Sequence, residues 1–358
     1  MTFLLIVLTL IVLAVLQGAL IRRLGARGFS YGRRFSRDMV AEGEQLEFVE
    51  TITNRGLLFL PWVRLEMSVP PSFLFKTKEE IDARGRNNFQ SVFTLLPLSR
   101  VTRRHAVTPL KRGHYRLGEA SVTMGDLMGV STRAFETVAP AELFVAPALL
   151  NGADAQLPAS GYTGAVVVRR VIQPDPFLIN GIREYRMGDP VRDIHWAASA
   201  RMNALQVKTH DFTANPALMV LINGQKAEDQ WGDLMDYEQG VIEYGISLAA
   251  TLCVDALRRG LSAGFAASLP MDGADECAVV LPGRGPGFEE SLLRAYSCLE
   301  LRQVRSFTTF LDTLPALSGM DIVILSGYQS AEIEKRMDVL RLMGNSVSLR
   351  LIREVAHE

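Results

Sequence analysis

Ala217-Leu218-Met219-Val220-Leu221-Ile222 is the stretch on which the fold turns. Six apolar residues in an unbroken run suit a strand covered on both faces, because a strand wet on one side would alternate. The sequence beyond it switches between helical and extended patterns. Tyr237 to Arg259 predicts a long helix closed by Gly260, with Arg258 and Arg259 near its C-terminus. Ala263 to Leu269 reads as a strand, Phe288 to Leu301 as a helix and Asp321 to Ser326 as a strand. Ala331 to Met343 is then a helix and Val347 to Ile352 a strand. Strands alternating with helices imply a doubly wound α/β layer.

Immediately upstream lies Arg183-Glu184-Tyr185-Arg186-Met187-Gly188-Asp189-Pro190-Val191-Arg192-Asp193-Ile194-His195-Trp196-Ala197-Ala198-Ser199-Ala200-Arg201. It holds four arginines and three acids around a Gly-Asp-Pro turn. Asp189 is a good helix N-cap and Pro190 suits the first helical position. A helix is therefore expected from Pro190 to about Ala200, ending near Asn203, with Ile194, Ala197, Ala198 and Arg201 on one face. Arg192 and Trp196, four apart, could then stack. The arginines Arg183, Arg186, Arg192 and Arg201 cannot all be buried unpaired. Glu184, Asp189 and Asp193 match three at most, so the remaining charge is solvated or meets an acidic partner. This density suggests an ion-pair junction between domains or an anion-binding surface. A single tryptophan among alanines is read as a core plug rather than as an exposed partner anchor.

Arg183, Tyr185, Gly188, Asp189, Arg192, Ile194, Trp196, Ser199, Ala200 and Arg201 together resemble the signature of the domain-of-unknown-function 58 family of bacterial and archaeal proteins. Arg112-Gly113-His114-Tyr115-Arg116-Leu117-Gly118, followed by Gly125-Asp126-Leu127-Met128-Gly129, also resembles that family. The two matches span roughly residues 110 to 225. The resemblance implies that the α/β half, 216–358, is a von Willebrand factor type A-like domain, with 166–215 holding the signature and a junction helix.

Where such a domain binds metal, an Asp-x-Ser-x-Ser motif follows its first strand and suits Mg²⁺, a hard cation. This chain reads Asn223-Gly224-Gln225-Lys226-Ala227 there. The leading carboxylate is an amide, Gln225 replaces a hydroxyl, and a lysine sits among them. The strand ending at Ser326-Gly327 also lacks the aspartate that relatives of the fold often carry. A degenerate site at Asn223 and Gln225, with no metal and no cofactor, is therefore expected. Gly283-Arg284-Gly285-Pro286-Gly287 lacks the Gly-Lys-Ser/Thr ending of a phosphate cradle and reads as a loop. His195 and Ser199 could touch on one helix. Catalysis would need an orienting third group and an oxyanion hole, and Asp193 points elsewhere. Capping and packing explain the pair as well.

Composition bounds the remainder. At 358 residues there is room for about two soluble domains, and a net charge of −1 gives no global argument for nucleic acid. Three cysteines without paired spacing fit a reducing compartment. Phe3 to Ile21 is uncharged, about the length needed to span a bilayer. Arg22, Arg23, Arg27, Arg33, Arg34 and Arg37 follow before any acid. The arginine side should be cytoplasmic. Residues 1–24 are thus expected to be a transmembrane helix and 25–37 a basic juxtamembrane segment, with the soluble domains inside. Relatives commonly carry two such helices; one is visible here.

Residues 38–150 read as an immunoglobulin-like β-sandwich, followed by a linker at 151–165. Gln45 to Thr53 alternates apolar with polar, and Asn54-Arg55-Gly56 is a turn. Further strands are expected at Gln90 to Leu96, Arg104 to Pro109 and Tyr115 to Thr123, and another at Val166 to Ile172. No acid falls between Asp82 and Glu119, where Arg84, Arg86, Arg100, Arg103, Arg104, Lys111, Arg112 and Arg116 lie. They form either a face for lipid or an acidic partner, or a scattered solvated set.

The expected function is a non-enzymatic, membrane-anchored adaptor or assembly factor. The resemblance implies a MoxR-type AAA+ ATPase as partner, and in some relatives a transglutaminase-like membrane protein. The alternatives are a structural cell-envelope protein without an ATPase, and an uncharacterised hydrolase using 183–201.

Overall fold

The computed structural model describes residues 2–75, 80–81, 87–127, 129, 131–150, 179–186, 189, 191–210, 217–230 and 236–352. The chain divides into two compact units, 1–148 with 293–299, and 149–292 with 300–358. The strand expected at Val166 to Ile172 and the linker at 151–165 lie outside the described residues.

The first unit opens with helix α1 (Thr2–Leu24). Among the described residues ten strands follow: β1 (Phe29–Phe35), β2 (Met39–Ala41), β3 (Leu46–Asn54), β4 (Leu60–Val69), β5 (Phe73–Phe75), β6 (Glu80–Ile81), β7 (Asn87–Leu95), β8 (Ser99–Pro109), β9 (Gly113–Gly125) and β10 (Thr132–Ala146). One sheet has the order β1-β3-β8-β5 and the other β2-β10-β9-β4-β7-β6. Their inner faces share one core that includes Phe48, Ile52 and Phe73 from the first sheet and Val63, Phe89, Val122 and Leu143 from the second. This is a β-sandwich. Each large apolar side chain buried there contributes about 1.5–3 kcal/mol. β1 falls inside the stretch 25–37 and is a core strand, pairing from Phe29↔Asn54 to Phe35↔Phe48. The Asn54-Arg55-Gly56 turn joins β3 to β4 as its residues suggest.

The sandwich core is not wholly apolar. Glu50, fully buried, accepts hydrogen bonds from Tyr31 Oη at 2.8 Å and Ser91 Oγ at 2.8 Å, and its Oε2 lies 2.9 Å from His105 Nε2. Burial, and then the neighbouring Glu50 carboxylate, push the Tyr31 hydroxyl far above its usual range. Arg33 is buried too. Its guanidinium donates to the carbonyl oxygens of Ala139 and Glu119 and contacts Met67 Sδ. Desolvation lowers its pKa from the usual arginine value. Arg112 of the second family-like motif is buried and donates to the carbonyl oxygens of Tyr296 and Leu299, in the stretch 293–299 that packs in this unit.

The chain continues with β11 (Ile179–Glu184), α2 (Trp196–Met202), β12 (Gln206–His210), β13 (Ala217–Ile222), α3 (Asp236–Arg258), β14 (Ser262–Pro270), β15 (Cys277–Gly283), α4 (Phe288–Ser297), α5 (Phe307–Thr313), β16 (Asp321–Ser326), α6 (Ala331–Leu342) and β17 (Ser346–Leu351). The second unit is built on a five-stranded sheet, β15-β14-β13-β16-β17. β14, β13, β16 and β17 are parallel, and β15 is an antiparallel edge that the periodicity did not reveal. β13 is central, as its unbroken apolar run requires. Met219 and Leu221 pack with Phe307 and Phe310 of α5 and Ile333 and Met337 of α6. Leu218, Val220 and Ile222 alternate to the opposite face and are also buried, and α3 lies against β13, β14 and β16. Helices thus cover both faces. Within α3, Glu238–Arg258 is long and apolar enough to cross a membrane, but 67% of that window is buried in the structure. It serves here as a core helix.

Candidate functional site

The signature folds as an interrupted hairpin. β11 and β12 pair antiparallel with Arg183↔Val207 and Glu184↔Gln206, and the signature residues form the excursion between them. The helix is shorter and later than Asp189-Pro190 predicts. Val191–Asp193 is a 3₁₀ turn, Ile194 bridges to Val207, and α2 begins at Trp196. The cap is His195, whose Nδ1 accepts from the Ala198 amide at 3.1 Å. Asn203 ends the helix in the left-handed region with φ 51°, close to where the sequence placed its end. Ile194 therefore precedes the helix instead of sharing a face with Ala197, Ala198 and Arg201.

Asp189 is drawn into a different task. Its two oxygens each lie 2.7 Å from the guanidinium of Arg183, and Oδ2 also accepts from the Arg186 amide at 2.7 Å. A bidentate arginine pair plus a backbone donor outweighs a helix cap for one carboxylate. The Arg183 guanidinium and the Arg186 amide hold the Asp189 carboxyl down at about 2. Arg186 and Arg201 are exposed, Tyr185 and Asp193 half-buried. Gly188 and the side chain of Arg192 lie outside the described residues, and with them the Arg192–Trp196 stack.

Ser199 closes the unit. Its hydroxyl donates to the His195 carbonyl at 3.0 Å and accepts from the Gln206 amide at 2.8 Å. Since Nδ1 of His195 faces the Ala198 amide and the serine hydroxyl faces two backbone groups, the pair is committed to local structure. A nucleophile–base pair would need those same atoms turned towards each other.

The outward face overturns one expectation. Trp196 is 66% exposed and plugs no core. The plug positions belong to Ile194 and Val207, both buried. Trp196 opens α2, a short helix with no buried residue. Val191, at 67%, and Met202, at 69%, are equally open, with Ile182 and Leu205 also exposed. Their apolar character is plain in the sequence, but nothing in spacing alone marks them as outward.

Asn223 and Gln225, the residues expected to form a degenerate cation position, follow the end of β13, and Asn223 meets Ser326 at the end of β16. Asn223 donates to Ser326 Oγ at 2.9 Å and accepts from the Gln225 amide at 2.9 Å. Gln225 donates to the Gln230 carbonyl and accepts from the Phe307 amide. Lys226 Nζ lies 3.9 Å from Glu238. The donor set is neutral amides and a hydroxyl already turned towards protein groups, a poor match for a hard divalent cation.

Residues 181–271 match the family described as "Protein of unknown function DUF58". No curated protein matches the chain. Among solved structures, the chain is similar to the CARDB domain of the PF1109 protein of Pyrococcus furiosus, in complex with di-metal ions. That likeness has 17% identity, 33% of this chain, 90% of that chain and a TM-score of 0.23. A non-cellulosomal cohesin from Archaeoglobus fulgidus is similar at 9% identity, with 32% and 91% covered and a TM-score of 0.23. The PapD-like domain 7 of human CEP192 is similar at 15% identity, with 33% and 87% covered and a TM-score of 0.20.

Proposed function

We propose that this chain is a membrane-anchored, non-enzymatic adaptor that holds a protein partner on the outward face of its signature hairpin. The observation that carries the reading is the exposure of Trp196, Val191 and Met202, each open to between 66 and 69%, within the family segment. Large apolar side chains left in water within one short segment suit a partner site. Tryptophan beside arginine is the composition of binding hot spots. Exposed Arg186 and Arg201 supply cationic groups suited to an acidic partner surface.

The partner class follows from the family resemblance: a MoxR-type AAA+ ATPase, with a transglutaminase-like membrane protein as the second candidate. The α/β unit is read as type A-like with an amide-filled cation position, which accords with a binding role that uses no metal. α1 is read as a single membrane span with both units cytoplasmic, supported by its outward apolar residues Phe3, Leu8, Val12 and Val15 and by Arg22 and Arg23 at its end.

The test is cross-linked affinity purification of the full-length protein from native membranes, with and without ATP, comparing wild type with Trp196→Ala. A nucleotide-dependent AAA+ ATPase that is recovered with wild type and lost with the variant supports the adaptor. Recovery of envelope proteins alone, unchanged by the variant, would reject it in favour of a structural role.

A further inference from the structure

Four segments of the first unit converge where α1 meets the sandwich. The turn after α1 is tied to the β3–β4 loop by the Arg55 amide, which donates to the Gly28 carbonyl at 2.8 Å. The β7–β8 loop joins them. The Leu98 amide donates to Gly56 O at 3.1 Å, and Asn54 Nδ2 donates to Leu58 O and Leu96 O. The tip of the β9–β10 hairpin reaches alongside the helix: a Cβ on Gly18 would stand 2.7 Å from Ser131 Oγ and 2.8 Å from Asp126 Oδ2. Arg133 anchors it by donating to the Arg22 carbonyl at 2.7 Å.

Each of three tips ends in open leucine. Leu57 is 81% exposed, Leu96 63%, Leu98 71% and Leu127 65%. Leu98 has φ 53°, in the left-handed region that costs a non-glycine residue about 1–2 kcal/mol. Such strain on a side chain left mostly in water points to a use outside the fold. Arg22, Arg23, Arg27, Arg55 and Arg100 are exposed at the same end. The one carboxylate in residues 22–28, 54–60, 96–100 and 126–131 is Asp126, which is 3% exposed and accepts from the Ser131 amide.

The helix supplies the level. From Phe3 to Leu20 an α-helix rises about 27 Å, close to the ~30 Å of a bilayer's hydrocarbon. Gly18, the residue touching the β9–β10 tip, lies within that length. If α1 spans, this tip reaches the bilayer boundary by geometry.

We infer that this end of the sandwich seats on an anionic bilayer surface. The four leucines of the three tips enter the headgroup–acyl boundary, and the five arginines meet lipid phosphates. The inference rests on the reading of α1 as a membrane anchor. It adds that the sandwich is held against the membrane instead of swinging from a tether. Apolar tips inside a basic rim are the composition that lipid interfaces retain.

Full-length protein inserted into preformed vesicles, one set zwitterionic and one containing phosphatidylserine, tests it by limited trypsin cleavage after Arg55 and Arg100. Cleavage should be roughly tenfold slower on the anionic vesicles. That protection should vanish in the triple variant Leu57→Asp, Leu96→Asp, Leu98→Asp, and survive in Leu110→Asp, an exposed leucine just past the far end of β8. Equal cleavage on both vesicles, with wild type still resistant to alkaline carbonate, would overturn the seat and leave the anchor standing. Release of wild type by carbonate would overturn anchor and seat together. Protection in native membranes but not in anionic vesicles would assign this end to a membrane protein and overturn the lipid assignment.

Discussion

The sandwich interior and the signature hairpin invert the usual placement of residue types. In the sandwich a glutamate, a histidine, a tyrosine and an arginine are buried, while the hairpin leaves a tryptophan and a methionine in water. The difference lies in hydrogen-bond supply. Glu50 finds Tyr31, Ser91 and His105 across two sheets, so its burial is compensated. The hairpin is a two-stranded element in which Ile194 and Val207 are buried while Trp196 stays largely in water among the described residues. Burial thus reports what the surroundings can satisfy, and the exposure of Trp196 is what the proposed partner role uses.

The largest effect should come from breaking the buried side of this contrast. Glu50→Ala strands three buried polar groups and should cost about 3–5 kcal/mol, read by denaturant unfolding of the sandwich in detergent. Glu50→Gln, which keeps an acceptor, should cost less, about 1–3 kcal/mol. Equal losses would show that the carboxylate itself has no special place. In the hairpin, Ser199→Ala removes the acceptor of the buried Gln206 amide. The segment should open more easily by about 1–3 kcal/mol, seen as faster hydrogen exchange at that amide.

Trp196→Ala should change thermal stability by less than about 0.5 kcal/mol while abolishing partner capture. A large destabilisation would return Trp196 to the structural role that its sequence context suggests. The smallest effect concerns acid. The Asp189 carboxyl, near 2 in the fold against ~3.9 unfolded, is depressed. Its pairing with Arg183 is therefore intact above about pH 4 and lost as pH falls through 2. Backbone resonances of residues 183–186 should shift only in that window, and Asp189→Asn should flatten the transition.

Much of this was legible residue by residue. The apolar run 217–222 predicts a doubly covered strand, and the strand Asp321–Ser326 has the bounds that its residues predict. Asn203 as a helix end follows from its ease in the left-handed region. Where structure and local pattern differ, two local options compete. Asp189 could cap a helix or hold Arg183, and only the β11–β12 pairing, which puts Arg183 within reach, decided it. His195 took the cap because Asp189 was engaged and the chain turned once before α2. β15 was hidden because an edge strand pairs on one side and shows neither alternation nor an apolar run.

The sequence by itself determined the kinds of layer, the apolar N-terminal stretch, the arginine density of 183–201 and the amides at 223 and 225, since each depends on composition, period or residue identity. Tertiary structure alone decided which face of the signature is wet, which acid holds which arginine, and where Glu50 sits. Those outcomes depend on cross-strand neighbours far apart in the chain, and no local pattern encodes a partner 55 residues away.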